Sequence, residues 1–402
     1  MKILYYSAHP HLSLDSPSGP GTHMREMINS FRAAGHEVEV LVFGPESNAS
    51  KKKDSINSLG SKNLLKNICP KIIWETLKDL QLVKHDNKCA EILNEKIKEF
   101  KPQLIYERGY YLMTSGVKVA EKLNVDHILE MNAPFLYEKE YMTGQKGLMN
   151  KRARTKEMEQ LNKTNLVLVV SSALKEYFIT EYKIDEKKIV VTPNGVEPSK
   201  ANVNVGDVIE LRKKLGFREQ DIIIGFVGSI FPYHGVDGLI SAFAEVKKKK
   251  GALKLLIVGD GESLPMLSAL TAQLGLVDSV IFTGNVSHNK VFNYISLMDI
   301  AVMARSNWYG SPVKIFEYGI MGKAIIAPDN KAVNDVMENG EDGILIRPDA
   351  NELEAALQRM VNERSFRESV AKNFQQKVRE NYTWKRIAEN VLSVYSQIKN
   401  VG

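Results

Sequence analysis

Short β-rich runs alternate with helical patterns along the whole chain of 402 residues, and this alternation limits the fold more than any other feature. The predicted strands cover residues 3–6, 38–43, 103–107, 127–130, 166–170, 189–192, 222–227, 253–258, 279–283, 300–304, 324–327 and 343–346. Strands that alternate with helices favour parallel sheets covered by helices on both faces. We therefore predict an α/β protein with doubly wound sheets.

The length fits two domains of about 200 residues better than a single core. The segment Pro193-Asn194-Gly195-Val196-Glu197-Pro198 and the polar stretch after it have the composition of a loop between domains. We place an N-terminal domain at 1–197 and a second domain at 198–380. Ligands of doubly wound sheets bind beyond the carboxyl ends of the strands, so two such domains predict a cleft between them.

The composition is that of an ordinary folded protein, with 44% hydrophobic and 25% charged residues. The net charge of +6 is too small to indicate nucleic-acid binding. Cys69 and Cys89 lack metal-ligand spacing and are interpreted as reduced thiols. A strand pattern from the first residues and the lack of an apolar run of about 18 residues predict a cytoplasmic protein without signal peptide or membrane span.

A basic amphipathic pattern covers residues 51–82. Its apolar residues are Leu64, Leu65, Ile68, Ile72, Ile73 and Leu77, and its lysines are Lys51, Lys52, Lys53, Lys62, Lys66 and Lys71. Such a segment can lie in a membrane interface and would suit a lipid-linked acceptor. It can equally pack on its own domain with the lysines in solvent. Peripheral contact with the inner face of a membrane stays one of two interpretations.

The segment 309–322 carries the strongest site pattern. Ser311-Pro312-Val313-Lys314 follows a predicted strand and opens a helix, with the serine as expected N-cap. The N–H groups of a first helical turn bind phosphate, and Lys314 adds a positive charge. Glu317 lies three residues on, on the same side of the helix, where a carboxylate can accept ribose hydroxyls. The alternative is a capped surface helix with a Lys–Glu pair.

The loop after the first strand contains Ser16-Pro17-Ser18-Gly19-Pro20-Gly21-Thr22. Gly19 would let the backbone approach a phosphate or a sugar ring closely at the start of the next helix. Pro20 disrupts the spacing of a dinucleotide-binding fingerprint, so the loop alone is a weak signal.

Several segments occur together and in order. They are the Gly19 loop, Gly35-His36-Glu37-Val38, Thr192-Pro193-Asn194-Gly195-Val196, Val227-Gly228-Ser229, Val258-Gly259-Asp260-Gly261, Phe282-Thr283-Gly284-Asn285-Val286, Ser311 to Gly322 and Tyr382-Thr383-Trp384. This series resembles the retaining glycosyltransferases of family 4 over nearly the whole chain. The resemblance implies a GT-B fold, in which two Rossmann-like domains face each other across a cleft. It also implies that the final segment, 381–402, crosses back as a helix onto the first domain.

The resemblance implies a UDP- or GDP-type nucleotide sugar as donor and no further cofactor. Family members usually show two glutamates separated by seven residues in the helix motif; Glu317 matches the second, whereas Tyr309 occupies the first position. Gly228 and Asn285 lie in matching segments, and we assign both to donor binding.

The largest departure from the family concerns the residues that would supply positive charge at the donor phosphates. The family often places Arg and Lys on the loop after the first strand of the second domain, where this chain has Ser229 and His234. A subgroup with a Ser-Pro-x-Lys helix start looks similar. Lys314 is therefore expected to supply one charge and a protonated His234 the other.

Acceptor-side residues are expected after the third and fourth strands. The position at which the family often carries a histidine is Asn132, whose amide can orient a sugar hydroxyl. Glu138 is the candidate acid or base. Arg108 would bind substrate or form an ion pair with Glu107 or Glu138.

The reaction implied by the resemblance is retaining transfer to a glycan, a lipid-linked or a small-molecule acceptor. No Asp-x-Asp occurs in the sequence, so we expect no metal. No protein nucleophile is evident. This suits a mechanism in which the acceptor hydroxyl attacks the sugar on the same face from which the diphosphate leaves. A nucleotide-sugar epimerase of the same fold and an inactive nucleotide-sugar-binding protein are the alternatives.

Overall fold

The computed structural model describes residues 1–16, 18–44 and 70–401. All twelve predicted strands are present, and their ends differ from the predicted ones by at most two residues. They form two six-stranded sheets in which every pairing between strands is parallel. The predicted α/β class with doubly wound sheets is confirmed.

Unit 1 comprises Met1–Thr192 and Ala388–Gly402. Its strands are β1 (Lys2–Ser7), β2 (Glu37–Val42), β3 (Leu104–Arg108), β4 (Asp126–Met131), β5 (Leu166–Val169) and β6 (Ile189–Val191). Its helices are α1 (Gly19–Ala33), α2 (Lys71–Phe100), α3 (Ser115–Leu123), α4 (Phe135–Thr143), α5 (Asn150–Lys163) and α6 (Ser172–Tyr182). The strand order is β2-β1-β3-β4-β5-β6. The direction of winding reverses between β1 and β3, where ligands of such sheets bind.

Helix α2 is much longer than the strands beside it. Its 30 residues span about 45 Å, whereas a six-residue strand spans about 20 Å. Cys89, Leu93 and Ile97 in its second half pack on the core of the sheet. Val83, in the first half, instead joins a separate apolar cluster with Leu136 of α4. The first half of α2 therefore forms a wall with α4 next to the main core.

Unit 2 comprises Pro193–Ile387. Its strands are β7 (Ile222–Val227), β8 (Leu253–Val258), β9 (Val280–Phe282), β10 (Ile300–Val302), β11 (Ala324–Pro328) and β12 (Ile344–Ile346). Its helices are α7 (Val205–Lys214), α8 (Val236–Lys249), α9 (Leu264–Gln273), α10 (Val291–Leu297), α11 (Val313–Ile320), α12 (Lys331–Asn334), α13 (Ala350–Asn362) and α14 (Arg364–Asn381).

The order of the second sheet is β12-β11-β10-β7-β8-β9, so the winding reverses between β7 and β10. Apolar side chains are buried on both faces of this sheet. One core packs against α8, α9 and α13, and the other against α10, α11 and α14. Burial on both faces explains why the strands of this unit are nearly continuous apolar runs.

The last helix, α15 (Trp384–Val401), belongs to both units. At its start, the N–H of Trp384 donates to the carbonyl of Val196 at 3.3 Å, within unit 2. Farther along, Tyr395 Oη donates to Asp126 at 2.5 Å and Lys399 Nζ donates to the same carboxylate at 2.8 Å, within unit 1.

The basic segment predicted over 51–82 is described only in part, because residues 51–69 lie outside the described residues. Its remainder forms the first turns of α2, where Ile73 and Leu77 are exposed. Within the described ranges, no helix has both the length and the apolar character that a bilayer span requires.

Candidate functional site

The loops that follow β7 and β10 are neighbours, because these two strands pair side by side in parallel. The first loop runs from Gly228 to Gly235 and leads into α8. The second leads to Pro312 and the start of α11. Both loops leave the carboxyl edge at the point where the winding reverses, the usual ligand position in such a sheet.

Gly228 and Lys314, both predicted for the donor site, are in direct contact. Gly228 has a φ of +143°, and a Cβ atom there would lie 2.7 Å from Lys314 Nζ. The ammonium group also lies 4.6 Å from the centre of the Phe226 ring. The backbone angle favours a glycine at position 228, and the absence of a side chain there leaves room for the end of Lys314.

His234 lies beside the same ammonium group. Lys314 Nζ donates to His234 Nδ1 at 3.5 Å, which leaves the proton of a neutral ring on Nε2. Burial and the nearby Lys314 charge lower the pKa of His234 to about 3. The expectation of a protonated imidazole at neutral pH is therefore wrong. His234 can still donate one hydrogen bond to a phosphate as a neutral ring.

Lys314 itself titrates close to neutral pH. Burial lowers its pKa to about 8, an effect that the nearby Glu317 carboxylate only partly offsets. The charged form, which a diphosphate prefers, is therefore complete below pH 7 and is lost as pH rises through 8.

We expect the affinity for a nucleoside diphosphate to be flat from pH 6.5 to 7.5 and to fall about tenfold per pH unit above 8. A phosphate stays ionised in this range, so the loss comes from the protein. Calorimetric titrations at several pH values check this. An affinity that is constant up to pH 9.5 would exclude Lys314 as the phosphate-binding charge.

The start of α11 differs from the expected capped helix. Its N-cap is Pro312, and no side chain caps it. The Ser311 hydroxyl instead accepts a hydrogen bond from the Asn194 backbone N–H at 3.0 Å, and Asn194 Nδ2 donates to the Ser311 carbonyl at 2.6 Å. The first turn at Val313 and Lys314 thus has no side-chain cap, which suits binding of an anion.

Glu317 lies one turn behind this helix start and is half-buried. The pKa of its carboxyl group is raised above the ordinary value, because the effect of burial exceeds the opposing effect of the positive charges of Lys200 and Lys314. Lys200 belongs to a short turn after the 193–198 segment and had not been singled out from the sequence.

Replacing Glu317 by alanine should weaken nucleoside diphosphate binding by about tenfold to a hundredfold, because a charged hydrogen bond contributes about 1.5–3 kcal/mol. The melting temperature should change little. Calorimetry of the variant against Glu219→Ala, an exposed glutamate of the same unit, measures the effect. Equal affinities of the two variants would remove Glu317 from the ribose site.

Ser229 and Asn285 are exposed in the loops after β7 and β9. Between them, the β8 loop packs tightly on the β7 loop. A Cβ atom at Gly259 would lie 2.0 Å from the Gly228 carbonyl oxygen, and one at Gly261 would lie 2.3 Å from the Ile230 carbonyl oxygen. The two glycines after β8 are thus explained by close packing of loops.

In unit 1, Gly19 is the first residue of α1 and is exposed. A Cβ atom there would meet no atom within 4 Å, so the backbone at Gly19 is accessible. Gly21 is the sterically required glycine, since a Cβ atom would lie 2.4 Å from the Ser16 carbonyl oxygen.

A buried carboxylate organises the carboxyl ends of β3 and β4. Glu130 accepts hydrogen bonds from His23 Nε2 at 3.0 Å, Tyr106 Oη at 2.7 Å and Arg108 Nη1 at 2.7 Å. Asn132 Nδ2 donates to the same carboxylate. Burial raises the pKa of Glu130, but the charges of His23 and Arg108 outweigh burial and hold it well below its usual range.

The predicted ion pair of Arg108 with Glu107 or Glu138 is wrong. Arg108 and Glu130 are directly opposite in the parallel register, so they share a face of the sheet. Glu107 precedes Arg108 and points to the other face, where it binds His127 at 2.8 Å. Asn132 donates through its nitrogen to Glu130, which leaves its Oδ1 as the acceptor for a hydroxyl.

Glu138 lines a cavity of about 680 Å³ within unit 1. Helix α2 forms one wall, and the rings of Tyr110, Tyr111 and Phe135 belong to the others. His11, after β1, also reaches this cavity. The cavity lies at the carboxyl ends of β1 and β3 and has the size of a small-molecule site.

Two family models match the chain in succession. The model described as Glycosyltransferase Family 4 matches residues 17–200, and the model described as Glycosyl transferases group 1 matches residues 207–377. The chain belongs to the family 4 glycosyltransferases, and the resemblance found in its motifs is confirmed. The narrower resemblance to a Ser-Pro-x-Lys subgroup stays a prediction.

Curated relatives match only part of the chain, at 30% identity or less. An uncharacterized glycosyltransferase of Methanocaldococcus jannaschii is 25% identical over 240 residues, 59% of this chain and 60% of that protein. Alpha-D-kanosaminyltransferase of Streptomyces kanamyceticus is 30% identical over 190 residues, 47% of this chain and 49% of that enzyme. The chain thus spans between half and three fifths of the length of these relatives.

Solved structures share the architecture over the full length. Anabaena HepE in complex with UDP has a TM-score of 0.72 at 18% identity, covering 99% of this chain and 100% of that chain. Sucrose-phosphate synthase of Thermosynechococcus elongatus has a TM-score of 0.72 at 18% identity, covering 100% and 99%. These similarities show the fold, and the predicted GT-B class is confirmed.

Proposed function

We propose that this protein is a retaining glycosyltransferase that moves a hexose from a nucleoside diphosphate onto a hydroxyl group. The observation that carries the proposal is the contact of Lys314 with Gly228 at the carboxyl edge of β7 and β10. A half-buried ammonium group and an uncapped helix start converge there, which is the arrangement that a leaving diphosphate requires.

The donor is assigned to unit 2. The first turn of α11 and Lys314 bind the diphosphate, His234 donates one neutral hydrogen bond, and Glu317 accepts the ribose hydroxyls. HepE, which has the same fold, was solved in complex with UDP and with UDP-glucose. These complexes support a nucleotide sugar as the donor of the present protein.

The acceptor is assigned to unit 1. Asn132, oriented by Glu130, accepts a hydrogen bond from the hydroxyl, and Glu138 lies at the cavity beside α2. In the reaction, the bond from the sugar C1 to the diphosphate oxygen breaks, and a bond from C1 to the acceptor oxygen forms on the same face. The acceptor proton passes to the departing diphosphate, so no protein nucleophile is needed.

Incubation of the protein with UDP-, GDP- and ADP-hexoses tests this function. Slow release of nucleoside diphosphate and a hexose that keeps its anomeric configuration are expected. A 2-epimer of the sugar would show an epimerase instead. Binding of the nucleotide sugar without turnover, in the presence of a panel of glycan, lipid-linked and small-molecule acceptors, would show an inactive binding protein.

Turnover should persist within about twofold after treatment with EDTA, because protein cations and helix N–H groups replace a metal in the proposed site. The measurement is release of nucleoside diphosphate with and without chelator. A complete loss that Mg²⁺ or Mn²⁺ restores would contradict the proposal of metal independence.

A further inference from the structure

Two glycines of the β7 loop each make room for a cation from the neighbouring loop. Gly228 accommodates the end of Lys314, as described above. Gly235, with a φ of +68°, accommodates Arg305. A Cβ atom at Gly235 would lie 2.9 Å from Arg305 Cγ, 3.0 Å from Cδ and 3.3 Å from Nε.

These contacts place the two cations at the two ends of one short loop, Lys314 at Gly228 and Arg305 at Gly235. Pro232–His234 forms a turn between the two glycines, and His234 contacts Lys314. Arg305 comes from the loop after β10, the loop that also leads to Lys314. The β7 loop bears no lysine or arginine of its own from Gly228 to Gly235.

Arg305 is exposed, and within the described part of the chain its guanidinium group takes part in no hydrogen bond or ion pair. A depression of about 470 Å³ adjoins it, and the acidic residues Asp237 and Glu262 are among those that line it. These negative charges disfavour an anion inside the depression itself. A guanidinium group without a protein partner is available to an anion bound at the adjacent β7 loop.

We propose that Arg305 is the second cation of the donor site and binds the diphosphate opposite Lys314. The proposal rests on the proposed donor-binding role of unit 2. Arg305 of the β10 loop and Lys314 of α11 then supply the positive charges. Their side chains reach the phosphates beside Gly235 and Gly228 of the β7 loop, where no side chain is in the way. A guanidinium group binds phosphate with two parallel hydrogen bonds, which orients the leaving group as well as neutralising it.

The test is calorimetric binding of UDP, GDP and ADP, followed by measurements on variants with whichever of these the unmodified protein binds. Arg305→Gln should lower the affinity for that nucleoside diphosphate at least tenfold and leave the affinity for the corresponding nucleoside unchanged. Arg305→Lys should recover at least half of the loss in affinity, measured as the logarithm of Kd. Arg364→Gln, an exposed arginine at the start of α14, is the matched control and should bind normally.

The outcomes separate this proposal from the function on which it rests. An Arg305→Gln variant that binds nucleoside diphosphate within twofold of the unmodified protein overturns the role of Arg305 alone. Equal losses for nucleoside and nucleoside diphosphate also overturn it, because the residue would then act on the shape of the site. If the unmodified protein binds none of the three diphosphates, both proposals fail.

Discussion

Turnover of the Lys314→Ala variant is expected to fall by about a hundredfold to a thousandfold at saturating donor. Lys314 is the half-buried cation at the carboxyl edge of β7 and β10, where negative charge develops as the diphosphate departs. Removing one preorganised group that stabilises such a charge typically costs this much in kcat. Donor affinity should fall less, because the ground-state charge of the donor is already shared with the helix start.

Stability separates a functional role of Lys314 from a structural one. Burial lowers the pKa of Lys314, so the charged form is less favourable in the folded protein than in the unfolded chain, and this cost is present at neutral pH. The Lys314→Ala variant should therefore melt at the same temperature as the unmodified protein or higher.

Lys372→Ala, an exposed lysine on α14, is the control for the charge change. Rates of nucleoside diphosphate release and melting curves of the two variants are the measurements. A native rate for Lys314→Ala, or a melting point lowered by several degrees together with the rate, would contradict the assigned role.

The second large effect is expected at Glu130. Replacing it by glutamine leaves the buried Arg108 guanidinium group without its counter-charge. Breaking a buried ion pair by removing one partner costs about 3–5 kcal/mol. We expect a loss of this size in the free energy of unfolding of unit 1, measured by urea denaturation, with hydrogen exchange of the β3 and β4 amides as the local probe.

Glu121→Gln provides the control, because it removes an ion pair with Lys163 in which both side chains are more than one third exposed. Such surface pairs contribute about 0–1 kcal/mol. Equal stability of the Glu130 and Glu121 variants would show that the Glu130 cluster is not a stabilising network.

The stability contributed by Glu130 also has a defined pH dependence. Its pKa in the folded protein lies well below the usual value, so its contribution is complete above the unfolded pKa of about 4.3 and is lost as pH falls below it.

The fold could be predicted from the sequence because its signals are local. Each strand of unit 2 is a nearly continuous run of apolar residues, and burial on both faces of a parallel sheet produces that pattern. The start of α11 was found in the same way, from four consecutive residues, Ser311 to Lys314. Its position at the carboxyl edge follows from the strand before it.

The errors concern contacts between distant parts of the chain. The capping role predicted for Ser311 fails because Asn194, which is 117 positions away, takes its hydroxyl group. The charge state predicted for His234 fails because Lys314, 80 positions away, lies against its ring. Helix-capping rules and ordinary pKa values describe a residue among its sequence neighbours, and neither contains this information.

The partner of Arg108 illustrates a third kind of error. Glu107 is adjacent in sequence, but alternate residues of a strand point to opposite faces. Glu130 becomes the partner because of the register between β3 and β4, which the sequence alone does not specify. The sequence does not single out Arg305, since nothing in its own segment indicates that its stem packs against Gly235.

The central claim is that a nucleoside diphosphate binds at the carboxyl edge of β7 and β10. Hydrogen–deuterium exchange of the full chain, with and without the nucleoside diphosphate that binds most tightly, tests it most directly. We predict slower exchange in the peptides that cover residues 228–235 and 311–317, and much less slowing in Glu317→Ala at a ligand concentration equal to the Kd of the unmodified protein. Unchanged exchange in both segments, with protection elsewhere or nowhere, would contradict the site and the function built on it.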